Sequence, residues 1–495
     1  MTVAAISAVF GVLREVVVAA EFGTTAETDA YFFSFDLIVR LPEFLMPAVA
    51  GALIPIYMRS REESGDNRFV LSVLNTYMIA LTIFSATIAV LAPGVVAIMG
   101  SGFPSEQRPL VVGIIRILAP SMTLLGIAGV LRSLLQADNK FFVAQLSNVW
   151  LSIGIVVGAI YAVPHLGING LPVGAVGGAA FQVVWTWYWV RRSGFQYRFV
   201  IDIRDQRFKR FLTLLGPAVL GATLSWLVPV IDKFLATFLE EGAIATLSFG
   251  GRPIGLLSRI FINSIVIAAL PVFTAKALLE DPTEYRQSVQ RTLSTLVFIL
   301  VPTSLVLAAL RVPVIEILFE RGAFDSAAVA RTAGVFAAGV LVLAPAAIGV
   351  VLSTGFTAME DTKTPAIFGA GTNVIVKATV APLLMMPLGV AGIALSSTFM
   401  YATSSLVLLM LFNRRVFDLR RSALGRSIVR ALVAGAAAGV AVEWMTRVVD
   451  TASLLKLVLG VTLGAVLYLV VSALLRSPEL TLLKERYGTF RTRDQ

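Results

Sequence analysis

The chain has no cysteine and a single histidine, His165. A disulfide framework, a thiolate metal site and a cysteine nucleophile are thereby excluded, and most zinc or histidine-based acid–base chemistry goes with them. Charge is scarce too. Only 14% of the 495 residues are Asp, Glu, Lys or Arg, against 57% hydrophobic, and the mean hydropathy is +0.86. No polar stretch is long enough to fold as a separate soluble domain, and no Walker-type phosphate loop is present, so no ATP hydrolysis and no cofactor are expected. The composition describes an all-α polytopic membrane protein. A net charge of +10 would point to nucleic acid in a soluble chain. Here the basic residues fall in short loops, so the partner expected is the bilayer and not nucleic acid. No cleavable signal is evident, because the first apolar segment carries Arg14 and Glu15.

Fourteen apolar segments can be marked, near 3–20, 28–58, 69–92, 109–135, 141–163, 168–190, 211–238, 244–275, 288–310, 327–356, 364–386, 388–412, 427–446 and 453–475. Lys and Arg concentrate in the even-numbered connections: Arg191, Arg192, Arg198, Arg204, Arg207, Lys209 and Arg210 in one, Arg414, Arg415, Arg420, Arg421 and Arg426 in another. The other connections hold few, among them Arg108, Arg311, Arg321 and Arg447. The positive-inside rule predicts that both termini are cytoplasmic. Trp185, Trp187 and Tyr188 read as anchors at a cytoplasmic helix end.

An internal repeat recurs at an offset of about 223 residues. LLQADNKFFVAQLSNV followed by LGINGLPVG in the first copy answers to FTAMEDTKTPAIFGAGTNV followed by LGVAGIALS in the second, with Lys140 matching Lys363. The offset spans six segments, an even number, so both copies insert the same way up. Parallel repeats of this kind predict two pseudo-symmetric six-helix lobes, 1–192 and 193–415, with a substrate path between them. The last two helices and the tail, 416–495, stand outside the duplication.

The most unusual segment runs from Thr28 to Arg59. It is apolar enough for a membrane helix yet carries Asp29, Asp36, Arg40 and Glu43, at spacings of seven, four and three residues. Those spacings put them on one helical face. An isolated charge at bilayer depth costs at least about 2.5–3.5 kcal/mol, so such residues face a bundle interior or a water-filled cavity. They either line a polar pathway or pair with one another. The stretch is too long for a straight membrane passage, and Pro42 and Pro47 offer places to bend. In the eighth segment Arg252, Arg259 and Asn263 also share a face, at spacings of seven and four. Matching Pro55 to Pro271 by the repeat sets Arg252 opposite Asp36 and Arg259 opposite Glu43. Arg14, Arg40, Arg252 and Arg259 are suited to a diphosphate, which forked guanidinium groups bind better than a point charge. The same charges also suit inter-lobe ion pairs.

Further charges lie in Asp232-Lys233 and in Asn373 with Lys377. Lys377, one helical turn beyond Asn373, is placed to pair with Asp232, or, as the resemblance described below implies, its ammonium stands in the position where some superfamily members bind a cation; no metal is expected. Glu443 and Lys456 are placed to pair and hold the last two helices together. The amphipathic run 318–331 suggests an interfacial loop helix.

Four stretches carry a family resemblance: LREVVVAAEFGTTAETDAYFFSF, LFERGAFD (318–325), TGFTAMEDTKTP (354–365) and the Arg252 helix. Together with the six-plus-six-plus-two arrangement they resemble the MurJ/MviN family, lipid II flippases of the multidrug/oligosaccharidyl-lipid/polysaccharide exporter superfamily. The resemblance implies a cavity formed by helices one, two, seven and eight, opening alternately inward and outward. It also implies a polyprenyl-diphosphate-linked peptidoglycan precursor as cargo, cell-wall synthesis proteins as partners, and residence in the bacterial inner membrane. Arg14 matches the arginine after the helix-one glycine, Asp29 the aspartate opening helix two, and Arg252 the arginine near the start of helix eight. Two charges of the family pattern are absent: helix one reads Ser7-Ala8-Val9-Phe10-Gly11, and helix two reads LPEFLMPAVAG. Export of another lipid-linked glycan, such as an O-antigen or exopolysaccharide unit, and a non-transporting cell-wall scaffold therefore stay open as alternatives. A membrane enzyme is disfavoured, since no outer loop bearing acids or histidines is long enough.

Overall fold

The computed structural model describes residues 2–63, 67–279, 282–416 and 421–480. Among them there is no strand. The helices are α1 (Thr2–Phe22), α2 (Ala26–Ile38), α3 (Arg40–Glu63), α4 (Arg68–Met99), α5 (Arg108–Ala137), α6 (Phe141–Leu146), α7 (Val149–Val157), α8 (Val163–Leu166), α9 (Gly170–Arg192), α10 (Gln206–Ala236), α11 (Ala243–Ser258), α12 (Ser264–Ala277), α13 (Pro282–Ala309), α14 (Arg311–Phe319), α15 (Ser326–Val340), α16 (Leu343–Ala358), α17 (Gly371–Val416), α18 (Arg421–Val448) and α19 (Ser453–Leu474). Ten stretches are long and apolar enough to cross a membrane. Two of these, Phe141–Arg192 and Pro365–Arg414, are double passages of 52 and 50 residues.

Both double passages fold back at a glycine. Gly167 has φ 58° and ψ −146°, and Gly389 has φ 54° and ψ −134°. Each is the glycine of the repeated Leu-Gly dipeptide, Leu166-Gly167 and Leu388-Gly389, so the duplication has kept a backbone conformation that side chains with a Cβ rarely adopt. Helix C-termini repeat as well. Asn139 and Glu360 are both left-handed, and in both copies the next N–H reaches back five residues, Lys140 to the Leu135 carbonyl and Asp361 to that of Phe356.

By internal contacts the chain divides into two compact units, 1–248 with 321–325, and 249–320 with 326–495. In the first, α3, α4, α5 and α10 enclose a core that includes Leu53, Phe69, Leu134 and Phe211. A close seam joins the two arms of the first double passage. A Cβ on Gly154 would lie 2.5 Å from the Gly174 carbonyl oxygen, and one on Gly174 would lie 2.4 Å from that of Gly154. Small residues at such intervals let two backbones touch, which is how helices associate where apolar lipid supplies no hydrophobic drive. The basic connection 193–205 is stitched to α4: Asn75 donates to the Val200 carbonyl at 2.9 Å and accepts from the Tyr197 hydroxyl at 2.9 Å. Asp205 then caps α10 by accepting the Arg207 N–H at 2.7 Å. The Arg207 guanidinium on the same carboxylate holds it below the ordinary carboxylate range.

The second unit has its core where α12, α13, α16 and α17 meet around Phe273, Leu293, Phe356 and Phe412. Tyr285 donates to the Gly355 carbonyl there at 2.8 Å. The pair α18–α19 packs on α13 and α14 through Val306, Leu310, Ala438, Val442 and Tyr468, and the Tyr468 hydroxyl donates to the Phe298 carbonyl at 2.6 Å.

Three expectations need correction, and one holds. The Thr28–Arg59 stretch forms one passage, Ala26–Arg61, interrupted at Val39 just ahead of Pro42, where a bend is expected. Val39 keeps helical angles, and its N–H reaches the Phe35 carbonyl at 2.9 Å. Pro42 has no N–H for the Ile38 carbonyl, so the break falls ahead of that proline. Glu443 does not pair with Lys456. It takes the Arg311 guanidinium at 2.7 and 3.0 Å and Arg447 at 2.8 Å, while Lys456 lies 3.8 Å from Asp450. The run 318–331 is no single helix, because α14 ends at Phe319 and α15 begins at Ser326. Of the three aromatic anchors only Tyr188 is exposed. Trp185 donates to the Val143 carbonyl at 3.3 Å, and Trp187 meets Tyr197 edge-on at 5.7 Å.

Candidate functional site

Within the first unit α1, α2, α3 and α10 bring five charged side chains into a buried group. Asp36, on the last turn of α2, is bonded by Arg40 of α3 (Nε to Oδ1, 2.6 Å) and faces Lys233 of α10 (Nζ to Oδ2, 3.4 Å). Lys233 is 6% exposed and also donates to the Ile244 carbonyl at 3.3 Å and to the Ser248 hydroxyl. Arg14, on α1, bonds Glu15 at 2.6 Å, and its guanidinium lies 5.2 Å from the centre of the Phe35 ring. Arg14, Arg40 and Lys233 thus lie together with the acids Glu15 and Asp36. A buried pair needs tight geometry and further hydrogen bonds to offset its desolvation. The Ser248 hydroxyl, the Ile244 carbonyl and the Phe35 ring are the groups that supply them.

Asp29 has a different surrounding. Its carboxylate is 4% exposed and accepts the N–H groups of Gly242 (2.8 Å) and Ala245 (2.7 Å) at the start of α11. Glu241 accepts the N–H of Ala26, the first residue of α2, at 2.9 Å. Each carboxylate therefore caps the N-terminus of the other's helix, where unpaired N–H groups and the helix dipole favour an anion. The 321–325 loop closes the same corner, with Ala323 donating to the Ala20 carbonyl at 2.8 Å. Gly322, at φ 60°, lies so close that a Cβ there would sit 2.2 Å from the Ala20 oxygen. This loop is the LFERGAFD run.

In the second unit Arg252 is half-buried on α11, while Arg259 is exposed and opens a π-helical turn, Arg259–Asn263. Lys377 is fully buried. Its ammonium donates to the Ile393 carbonyl at 2.9 Å and to the Ser397 hydroxyl at 2.7 Å, tying the two arms of α17 together. Asn373, one turn earlier, has a buried Oδ1 with no hydrogen-bond partner.

The structure thus brings Arg14, Asp36 and Arg40 together, sends Asp29 to a helix cap and leaves Glu43 exposed. Asp232 is half-buried beside Lys233 on α10. The sequence reading passed over the pairing role of Lys233, the partnership of Arg14 with Glu15, and the Glu241 cap. The Asp232-Lys233 and Arg14-Glu15 doublets inside apolar segments were the available signals.

Glycine-broken double passages and the absence of strands among the described residues make this an all-α polytopic membrane protein with a charged group among its helices. A solved multidrug resistance MATE family transporter of the MOP superfamily, in an inward-facing conformation, matches with a TM-score of 0.68 at 16% identity, covering 84% of this chain and 96% of that one. A solved lipid II flippase MurJ in an inward closed conformation matches with a TM-score of 0.82 at 22% identity, over 96% and 98% of the two chains. The probable lipid II flippase MurJ of Synechocystis sp. is 26% identical over 519 residues, covering 97% of this chain and 94% of its own. The family described as lipid II flippase MurJ matches residues 18–463, and the chain belongs to that family.

Proposed function

We propose that this chain carries lipid II, a polyprenyl-diphosphate-linked sugar-peptide, from the inner to the outer leaflet of the bacterial cytoplasmic membrane by alternating access. The observation that carries this reading is the pair of guanidinium groups, Arg14 and Arg40, gathered with Lys233 beside Glu15 and Asp36 inside the helices of the first unit. Both arginines are held by single carboxylates at 2.6 Å, so an incoming diphosphate competes for guanidinium groups that are already oriented. When the cargo leaves, Glu15 and Asp36 take the guanidinium groups back, which spares the empty site an unpaired buried charge. Arg252 and Arg259, which the repeat sets opposite Asp36 and Glu43, are the cations that the second repeat adds in this reading.

In this reading the repeats 1–192 and 193–415 are two lobes, and the helix pair with its tail, 416–495, stands outside the duplication. The basic connections and both termini face the cytoplasm. The Asp29–Glu241 caps with the 321–325 loop form a latch at the other end, which must open to release cargo outward. A latch made of hydrogen bonds to helix ends can break and re-form without exposing a hydrophobic core.

The test is complementation of a strain depleted of its own lipid II flippase, with membrane abundance of each variant and the leaflet distribution of lipid II measured together. Arg14→Ala and Arg252→Ala are expected to abolish growth at wild-type abundance, and Arg252→Lys to restore part of it, since lysine keeps the charge and loses the fork. Arg259→Ala is expected to be milder, as that side chain is exposed. Normal growth and normal lipid II distribution with both alanine variants would overturn the reading.

A further inference from the structure

Pro93 sits inside α4 and has no N–H to offer the Ala89 carbonyl, one turn back. Arg116, on the neighbouring α5, supplies the missing donor: its Nε reaches the Ala89 oxygen at 3.2 Å. One turn along, Ser85 of α4 donates to the Ala119 carbonyl at 2.5 Å. The two helices therefore run antiparallel, with Ala89 level with Arg116. Arg116 is exposed, and among the described residues it makes no other hydrogen bond and no ion pair. From Arg68 to Ala137 the sequence holds one acid, Glu106, ten residues before Arg116 and exposed in the connection ahead of α5. The two Nη groups of the guanidinium are left over.

Depth decides what those groups can meet. The 32 residues of α4 span about 48 Å against a hydrocarbon core of about 30 Å, so about 9 Å overhangs at each end. Ala89 lies ten residues before Met99, which sets it about 6 Å inside the core. The surface around it is apolar and open: Val90 is 73% exposed, Leu91 57% and Ile83 63%. A guanidinium at that depth needs an anion or water. Helical side chains lean toward the start of their own helix, and α5 starts after the 100–107 connection. Arg116 therefore leans toward the nearer head groups. On that side two glycines keep the surface clear. A Cβ on Gly113, one turn before Arg116, or on Gly94, beside Pro93, would meet nothing within 4 Å.

We propose that Arg116 is the phosphate-binding residue of a lipid site on the α4–α5 surface, its ligand a glycerophospholipid of the leaflet on the 100–107 side. The Nη fork takes the phosphate oxygens, the head group fills the space over Gly94 and Gly113, and an acyl chain lies along Val90 and Ile83. Nε stays on the Ala89 carbonyl, so the guanidinium is oriented before the lipid arrives. The site rests neither on the transport reading nor on which leaflet is cytoplasmic.

The chain has no cysteine, so a single Val90→Cys can carry a bimane fluorophore. The purified full-length protein is reconstituted in digalactosyldiacylglycerol, a bilayer lipid without phosphate, and titrated with brominated phosphatidylglycerol, whose bromines quench a neighbouring fluorophore. Half-quenching is expected at a mole fraction about 5-fold lower than in the same protein carrying Arg116→Gln, the factor that one arginine near a lipid phosphate commands. Arg116→Lys is expected to keep part of the difference, since lysine keeps the charge and loses the fork. A reporter at Val440→Cys, on α18 and 70% exposed, is expected to respond alike with and without Arg116→Gln. Equal midpoints at Val90→Cys with and without Arg116→Gln, or a change of the same size at Val440→Cys, overturns the site. If Arg116→Gln is not recovered from membranes, Pro93→Ala takes its place. It keeps the charge, returns an N–H to the Ala89 carbonyl and is expected to raise the midpoint; an unchanged midpoint then overturns the site.

Discussion

The carboxylate of Asp29, on α2, accepts the N–H groups of Gly242 and Ala245, while Glu241, beside that turn, accepts the N–H of Ala26 at the start of α2. The two acids exchange helix caps across 212 positions of sequence. Neither cap exists without the other's loop being in place, so the pair behaves as one contact.

Asp29→Asn keeps the shape of the side chain and removes its charge, which weakens a cap worth about 0.5–2 kcal/mol. Thr28 is fully buried beside it and reports opening once replaced by cysteine. In a Thr28→Cys background, Asp29→Asn is expected to speed thiol labelling from outside the cell by about 5- to 30-fold, the factor that 1–2 kcal/mol commands. Equal labelling rates in the two backgrounds would dispose of the latch.

Lys233→Met removes one of the two cations paired with Asp36, which is 8% exposed, and leaves Arg40 in place. Breaking a buried pair from one side costs about 3–5 kcal/mol, whereas neutralising both partners is often tolerated. The single variant is therefore expected to lose abundance, and Asp36→Asn/Lys233→Met to regain it without regaining transport. If the double variant restores both, the pair is structural only; if it restores neither, the two residues act separately.

How much of this was legible beforehand varies with the physics involved. Hydropathy marks the membrane passages, because an apolar solvent leaves little choice about which stretches cross it. The fold-back glycines were also visible, in the repeated Leu-Gly dipeptide. The break at Val39 was visible too, because Pro42 withdraws the N–H that the Ile38 carbonyl would accept. Partner choice was the least accessible level. Glu443 bonds Arg311, which is 132 residues away, and nothing local distinguishes that arginine from Lys456 as a partner. Lys233 was hidden in the same way, because its relation to Asp36 appears only when α10 lies beside α2.

Lys377 gives a prediction about ions. Its ammonium already occupies the carbonyl of Ile393 and the hydroxyl of Ser397, oxygens of the kind a sodium ion would seek. The wild-type protein is expected to melt at the same temperature in sodium and in potassium chloride, and Lys377→Asp to gain a sodium-dependent shift. A sodium shift in the wild type, abolished by Asp232→Ala, would show an independent ion site.

Topology can be read with single cysteines. Gln196→Cys, exposed in the basic connection before α10, is expected to resist an impermeant thiol reagent in intact cells, and Ser105→Cys, exposed between α4 and α5, to react. The reverse pattern would invert the orientation and the direction of transport with it.

The bond between Asp36 and Arg40 spans the turn at Val39, where α2 ends and α3 begins. It works as a splint across the break in the second membrane passage. The backbone there lacks one helical hydrogen bond, and the ion pair holds the two rods at a set angle. Whatever draws Arg40 away from Asp36 also frees the joint. Under the proposed reading, a phosphate oxygen that captured the guanidinium would do two things in one act: it would fasten the cargo and take the splint off the break.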